Sequence, residues 1–302
     1  MRPLRFLYLG LPIGGLALTG DGHEIVAACI SRPSYPGMRR LRARLAALGA
    51  PVFARPDLDD TELQRILRAA KPDLVVSFFW HTKVPSAVRA IAALGAIGVH
   101  PSLLPRHRGP DPIFWTIRRG DSTTGVTVHA LDEGYDTGPV LAAREVDVPP
   151  GVNALRLAHM LDRPALALLR EVCLSFALDA SPAGQPQDES LATGAPEPSE
   201  DDLEIRWSWQ SAEILRLVRA AAPSPGAFSS FGDHTITVEG ASGTAHRLEP
   251  GVAVLLDQGV VVGTSDCAVR LEAVRIDDGD ELLRGEAIGR ALEGVSDLRG
   301  KR

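Results

Sequence analysis

Cysteine, net positive charge and long apolar runs are all in short supply in this chain. Its three cysteines, Cys29, Cys173 and Cys267, are scattered, odd in number and set in apolar stretches. That pattern excludes a disulfide framework and lacks metal-ligand spacing, so no metal is expected and the thiols read as buried groups of a cytoplasmic protein. No run of 18 or more apolar residues occurs, and Met1-Arg2-Pro3-Leu4-Arg5 passes straight into a strand-like segment. Neither a membrane partner nor a secretory leader is expected. A formal net charge of −6 offers no general attraction to nucleic acid, which favours a small-molecule substrate.

What is present is an ordinary globular composition, 45% hydrophobic and 23% charged over 302 residues, enough for about two domains. Short apolar runs at Leu4 to Gly10, Glu24 to Ile30, Pro51 to Phe53 and Asp73 to Phe79 alternate with helical patterns such as Asp60 to Ala70. Alternation of this kind implies an α/β domain built on a parallel sheet. The glycines in Leu11-Pro12-Ile13-Gly14-Gly15 lack the spacing of a dinucleotide fingerprint and serve a tight turn. Strands are expected at Thr124 to Leu131 and Leu141 to Val148, followed by a helix from Asn153 to Ala180 that Pro164 should break or kink. Residues Ser181 to Asp202 hold four prolines, two glycines and six acidic residues with no basic one, the composition of a linker. Beyond it a helix, Ser208 to Ala222, precedes short strands at Val252 to Leu256, Val260 to Val262 and Val269 to Ile276, suggesting a small barrel. The expected organisation is 1–180, linker 181–202, and 203–302.

Two stretches carry the chemistry: Gly98-Val99-His100-Pro101-Ser102-Leu103-Leu104-Pro105-Arg106-His107-Arg108-Gly109, and Asp132-Glu133-Gly134-Tyr135-Asp136-Thr137-Gly138. Each lies where a strand runs out into a loop, which is where open α/β sheets place ligands. His100 titrates near neutrality, and a carboxylate such as Asp136 can fix its tautomer or take a proton, so the two form a general acid/base pair if the loops meet. Taken singly, a packed loop histidine and a turn carboxylate explain the same residues.

Together these motifs resemble the folate-dependent formyltransferase family, which includes methionyl-tRNA formyltransferase, the sugar N-formyltransferases and the hydrolase domain of 10-formyltetrahydrofolate dehydrogenase. The resemblance extends to Pro72-Asp73-Leu74-Val75-Val76, Gln187-Asp188-Glu189-Ser190 and Ile205-Arg206-Trp207-Ser208. It implies a Rossmann-like catalytic domain followed by a smaller β-barrel of OB type, with 10-formyltetrahydrofolate as co-substrate. It also implies His100 and Asp136 as catalytic residues with Gly98 beside them. A folate pocket is implied at Phe79, Trp80, Val84, Ser102, Leu103, Leu104, Gly134 and Tyr135. Arg106 and Arg108 are candidates for an anionic group of the acceptor, or for pairing with acidic neighbours.

One position departs from the family. Transferases of this kind carry Asn-x-His, whose amide and imidazole hold the developing oxyanion; here the asparagine position is Gly98, and Asn153 is the only asparagine in the chain. Loss of one oxyanion donor typically costs about 2.7–4 kcal/mol. The hydrolase domain of the dehydrogenase also lacks that asparagine, so Gly98 either offers its backbone N–H or admits a water. Restoring asparagine would raise transfer if only the amide is missing, and abolish it if Gly98 makes room for a substrate group. The turn Ser31 to Gly37 is shorter than the basic loop that contacts tRNA in methionyl-tRNA formyltransferases, while Arg39, Arg40, Arg42 and Arg44 follow as a phosphate site, a folate-tail site or a solvated helix face. Three activities follow: formyl transfer to a small-molecule amine, with Asp136 accepting the proton and His100 polarising the oxyanion; hydrolysis of the same donor; or ligand binding by an impaired site.

Overall fold

The computed structural model describes residues 2–178, 182–231, 234–256, 259–277 and 279–292. Two compact units emerge: Met1–Pro112 with Thr123–Asp147 and His159–Pro196, and Ile113–Ser122 with Val148–Ala158 and Glu197–Arg302. The far end of the expected second domain, 293–302, and residues 179–181 at the expected domain junction lie outside the described residues.

The first unit is a strand-helix alternation: β1 (Arg5–Gly10), α1 (Pro12–Gly20), β2 (Glu24–Ile30), α2 (Met38–Ala47), β3 (Val52–Ala54), α3 (Thr61–Ala69), β4 (Leu74–Phe78), α4 (Ser86–Arg89) and β5 (Ala96–His100). Asp60 starts α3 where the sequence pattern begins, its carboxylate accepting from the Glu62 and Leu63 N–H groups at 2.8 and 3.2 Å, which satisfies two orphan donors of the first turn. After α5 (Pro112–Arg119) come β6 (Thr123–Ala130) and β7 (Val140–Asp147). The sheet order is β3-β2-β1-β4-β5-β6-β7. Pairing is parallel from β3 to β5 and antiparallel for β5–β6 and β6–β7, so the sheet is mixed rather than wholly parallel. A loop of nine residues from 131 to 139 joins β6 to β7, too short for the crossover that a parallel pair requires.

β1, β4 and β5 are buried along almost their whole length, as continuous apolar runs in a covered sheet must be. Leu7, Leu9, Val75, Leu63, Leu67 and Val88 form one core cluster, with Trp80 and Leu131 packed against it. Burial of one such side chain contributes roughly 1.5–3 kcal/mol. That core fixes the carboxyl ends of β4 and β5, from which the site is built.

α6 (Ala154–Ala177) contains Pro164 without the expected break in its helical assignment. Proline removes one backbone hydrogen bond. Leu157, Leu161, Ala165, Leu168, Leu169 and Val172 on either side of it are all buried, and that stripe outweighs the local loss.

In the second unit, α7 (Glu200–Leu203) and α8 (Ser211–Ala221) precede β8 (Ala227–Phe231), β9 (His234–Thr244), β10 (Ala253–Leu256), β11 (Gly259–Gly263), β12 (Ala268–Ile276), β13 (Leu283–Arg284) and α9 (Glu286–Ala291). The strands form an antiparallel sheet in the order β10-β11-β12-β9-β8, with β13 on β12. Among the described residues no pairing joins β8 to β10. None of the described helices is long and apolar enough to cross a membrane.

Candidate active site

Strand register brings the chemistry together. In the β5–β6 pair Gly98 faces His129 and His100 faces Thr127. Thr127 ties the motif loop to the sheet: its hydroxyl donates to the Ser102 carbonyl at 2.7 Å and accepts the Leu104 N–H at 3.1 Å. Ser102, fully buried, donates to the Arg106 carbonyl at 2.7 Å and closes the loop on itself. The imidazole of His100 is thereby held at the sheet edge, its Nε2 2.8 Å from the His107 carbonyl. That carbonyl can only accept, so Nε2 carries the hydrogen and Nδ1 is the remaining nitrogen.

Nδ1 of His100 lies 3.5 Å from Oδ2 of Asp136, so the two loops do meet. Oδ2 also accepts the Gly109 N–H at 3.0 Å. A third group was not singled out from the sequence: Nε2 of His129 lies 3.4 Å from Oδ1 of the same carboxylate. Nδ1 of His129 points at the Ala130 carbonyl, 3.0 Å away. Both its ring nitrogens therefore face oxygen atoms. Asp136 sits between two imidazoles, His100 and His129 being 7% and 1% exposed.

Burial alone would raise the Asp136 pKa, but His100, His129 and the Gly109 N–H together outweigh it and hold the carboxyl below its usual range. Burial pushes His100 the other way, below the ordinary histidine value, against the opposing pull of Asp136 and the His107 carbonyl. The result is an ionised carboxylate beside a neutral imidazole. Asp136, His107 and Phe79 have φ of 57°, 57° and 52°, a left-handed backbone that costs non-glycine residues about 1–3 kcal/mol each. Two of these, His107 and Asp136, belong to the cluster around His100, and strain of this kind collects at working sites.

The segment read as a linker helps to build this site. Gln187 donates from its amide to the Asp136 and Gly138 carbonyls at 2.9 and 2.7 Å, clamping the aspartate loop. Its Oε1 accepts from Arg108 at 2.7 and 3.1 Å, and Glu189 takes two further bonds from the same guanidinium at 2.7 and 2.8 Å. Arg108 is thus occupied by Gln187 and Glu189, the acidic pairing, rather than presented to a substrate. The Thr193 hydroxyl accepts the His107 N–H at 2.8 Å, and Ala195 exchanges backbone bonds with the motif. Gly109 is at φ +128°, and a β-carbon there would lie 2.5 Å from the Ala195 carbonyl oxygen, so only glycine permits the approach. The resemblance had marked Gln187; composition alone gave no sign of its role, because a glutamine clamp looks like any polar loop.

The expected pocket residues lie on the loop after β4, on the motif loop and on the aspartate loop. Phe79 follows β4, its ring 4.5 Å from that of Phe78. Trp80 is half-buried, its ring packed against the core cluster and its indole N–H buried without a hydrogen-bond partner. Val84 is buried in the core cluster. Leu103 is half-buried beside Gly125, where a β-carbon would come within 2.5 Å of it. The Gly134 N–H donates to Asp132 at 3.0 Å, and the Tyr135 hydroxyl donates to the His81 carbonyl, pinning the aspartate loop to the loop after β4. Burial pushes the Tyr135 phenol up to about 12. Glu133 pairs with Arg89 of α4 at 2.6 Å and pins the same loop a second time. Arg106 is exposed at the motif's surface. Of the α2 arginines, Arg44 donates to the Thr19 carbonyl at 3.0 Å, a structural role, while Arg39, Arg40 and Arg42 face solvent.

Comparison with known proteins agrees with this architecture. Residues 21–172 match the formyl transferase domain model, and residues 199–287 match the formyl transferase C-terminal domain. A methionyl-tRNA formyltransferase of Syntrophus aciditrophicus is 35% identical over 95% of this chain and 98% of its own. The chain belongs to the formyltransferase family. A second relative of this formyltransferase, the methionyl-tRNA formyltransferase of Chlorobium limicola, is also 35% identical, over 93% of the chain and 96% of its own length. Among solved structures, HypX from Aquifex aeolicus in complex with tetrahydrofolic acid superposes with a TM-score of 0.70 at 23% identity, over 98% of this chain and 49% of HypX, so this formyltransferase spans about half of that protein. An N-formyltransferase from Helicobacter canadensis with folinic acid and dTDP-3-aminofucose gives a TM-score of 0.64 at 14% identity, over 89% and 99% of the two chains. At such identities the superpositions speak to fold alone.

Proposed function

We propose that the protein transfers the formyl group of 10-formyltetrahydrofolate to the primary amine of a small molecule. The observation that carries the reading is the ionised Asp136 set 3.5 Å from Nδ1 of a buried neutral His100 in a member of this family. The geometry redistributes the roles expected from sequence. A carboxylate held below its usual range is a weak proton acceptor, whereas His100 has Nε2 committed to the His107 carbonyl and Nδ1 turned toward Asp136. As the amine attacks the formyl carbon, His100 takes its proton at Nδ1, and Asp136 stabilises the imidazolium that results. The imidazolium then returns that proton to the departing N10. Gly109 and His129 hold Asp136 in place throughout.

The pocket loops supply what a pterin needs. Trp80 offers the exposed part of a flat ring, and the loop from Phe79 to Val84 runs beside it. A small acceptor is supported by the short connection of residues 31–37 between β2 and α2 and by the negative net charge. A second reading, transfer to a methionyl-tRNA, rests on the full-length likeness to relatives of that name.

The deciding experiment incubates the protein with 10-formyltetrahydrofolate and follows tetrahydrofolate release and formylated product by mass. Release that depends on an amino sugar or amino acid supports the proposal. Release only with methionyl-tRNA selects the second reading, release with water alone selects hydrolysis, and absence of release under all conditions rejects formyl transfer.

A further inference from the structure

The second unit holds a cavity of about 390 Å³ that the formyl-transfer reading does not use. Ile117, Val148, Val152 and Leu215 supply apolar wall, and α8 sends Arg216 and Arg219 to it. Three positions apart on one helix, the two arginines share a face. The Nε of each is buried without a hydrogen-bond partner. Burial pushes the Arg219 pKa down, and Arg216 adds to the effect. Gly120, at φ +76°, lets the Arg216 stem through, since a β-carbon there would lie 3.0 Å from Arg216 Cδ. Asp121 also lines the cavity, but it carries an interaction of its own.

Arg118 of α5 stands differently. Arg118 lies 4.8 Å from the centre of the Trp209 ring and feels the charges of Glu213 and Asp202. Arg216 and Arg219 instead bring two like charges together at the cavity wall, a repulsion that an anion in the cavity would relieve. The planar guanidinium fork matches an oxyanion, and a phosphate monoester, at about −1.5 to −2 near neutrality, balances two arginines better than a carboxylate does. A bare ion would leave most of the space empty, water having a share of about 30 Å³ in the liquid. The apolar walls call for an organic body.

We propose that this cavity binds a small phosphate monoester, the phosphate meeting Arg216 and Arg219 and the organic part lying against Ile117, Val148, Val152 and Leu215.

The test is calorimetric titration and thermal shift of the whole protein with AMP, ribose 5-phosphate, adenosine and inorganic phosphate at fixed ionic strength. The monoesters should bind saturably, inorganic phosphate more weakly and adenosine not at all. Replacing both arginines, Arg216→Gln with Arg219→Gln, should weaken monoester binding at least tenfold. Arg219→Lys, which keeps the charge but loses the fork, gives the same answer if the double variant fails to fold. Ala212→Phe, at an exposed position of the lining, should weaken the monoesters while sparing inorganic phosphate. Equal binding by the wild type and the arginine variants, or no response to either monoester, overturns the proposal. So does binding of an unphosphorylated RNA oligonucleotide without a response to AMP.

Discussion

Nε2 of His129 stands 2.7 Å from the point where a β-carbon on Gly98 would sit, with Leu131 Cδ2 2.8 Å from the same point. The absent asparagine is thus not simply a deletion: the cross-strand imidazole has the space. Gly98→Asn should destabilise the protein by about 1–3 kcal/mol through overpacking and leave turnover no higher than wild type. In a His129→Ala background the penalty should shrink, giving a coupling that urea midpoints of the four proteins can measure. An equal penalty in both backgrounds would mean that His129 does not set the identity of residue 98.

Asp136→Asn keeps the shape of the side chain and removes its charge. Turnover should fall by roughly 10²–10⁴-fold, the span of general acid/base contributions. Folate affinity, read by fluorescence quenching, should change little, because the substitution keeps the side-chain shape and leaves Gly134 and Tyr135 of the same loop in place. Loss of binding in parallel with turnover would assign Asp136 to substrate holding instead.

Both pKa values are held below their ordinary positions, so each group makes stability fall as pH drops, in its own pH window, and each can be isolated by subtraction. Asp136 is held below its ordinary value, so its contribution is present above the unfolded carboxylate pKa of about 3.9 and is lost as pH falls through the lower folded value. His100 is also held below its ordinary value, so the unfolded chain binds its proton first, and stability falls as pH drops below about 6.5. Chemical denaturation between pH 4.5 and 8 (about the range separating the two) should show that slope in the wild type and a shallower one in His100→Ala. For activity, the acid limb of kcat/KM should lie below the ordinary histidine range. A limb at or above pH 7 would contradict a neutral buried His100.

Gln187→Ala removes the clamp on the aspartate loop without touching His100 or Asp136 side chains. Each lost hydrogen bond should cost roughly 0.5–1.5 kcal/mol of stability, and kcat should drop with the loop's order. Gln187→Glu replaces the amide N–H donors by an acceptor facing two carbonyls and should be worse than alanine. Equal activity in all three proteins would show that the loop holds itself.

Much of this was legible from residues alone. Apolar runs marked β1 to β4, β6 and β7 to within a residue or two; the signal is strongest for β4, which is buried along its whole length with continuous hydrophobic content. The pairing of His100 with Asp136 followed from two motifs at strand ends. His129 escaped notice since its signal is cross-strand: within Thr123–Ala130 it is one polar residue in a β pattern, and only the β5–β6 register sets it opposite Gly98. The same holds for the antiparallel turn of the sheet after β5 and for the capture of Arg108 by residues some 80 positions on. Long-range partners of this kind leave no periodicity behind.

The segment from Ala183 to Ala195 changes what counts as the smallest working piece of this protein. The family match to the catalytic domain closes at residue 172, yet Gln187, Thr193 and Ala195 supply contacts to the aspartate loop and to the His-Pro-Ser-Leu-Leu-Pro-Arg-His-Arg-Gly motif. A fragment trimmed to the match would keep all three members of the His100, Asp136 and His129 cluster and lose the strap that holds them, so expression boundaries belong after Pro196, where the first unit closes.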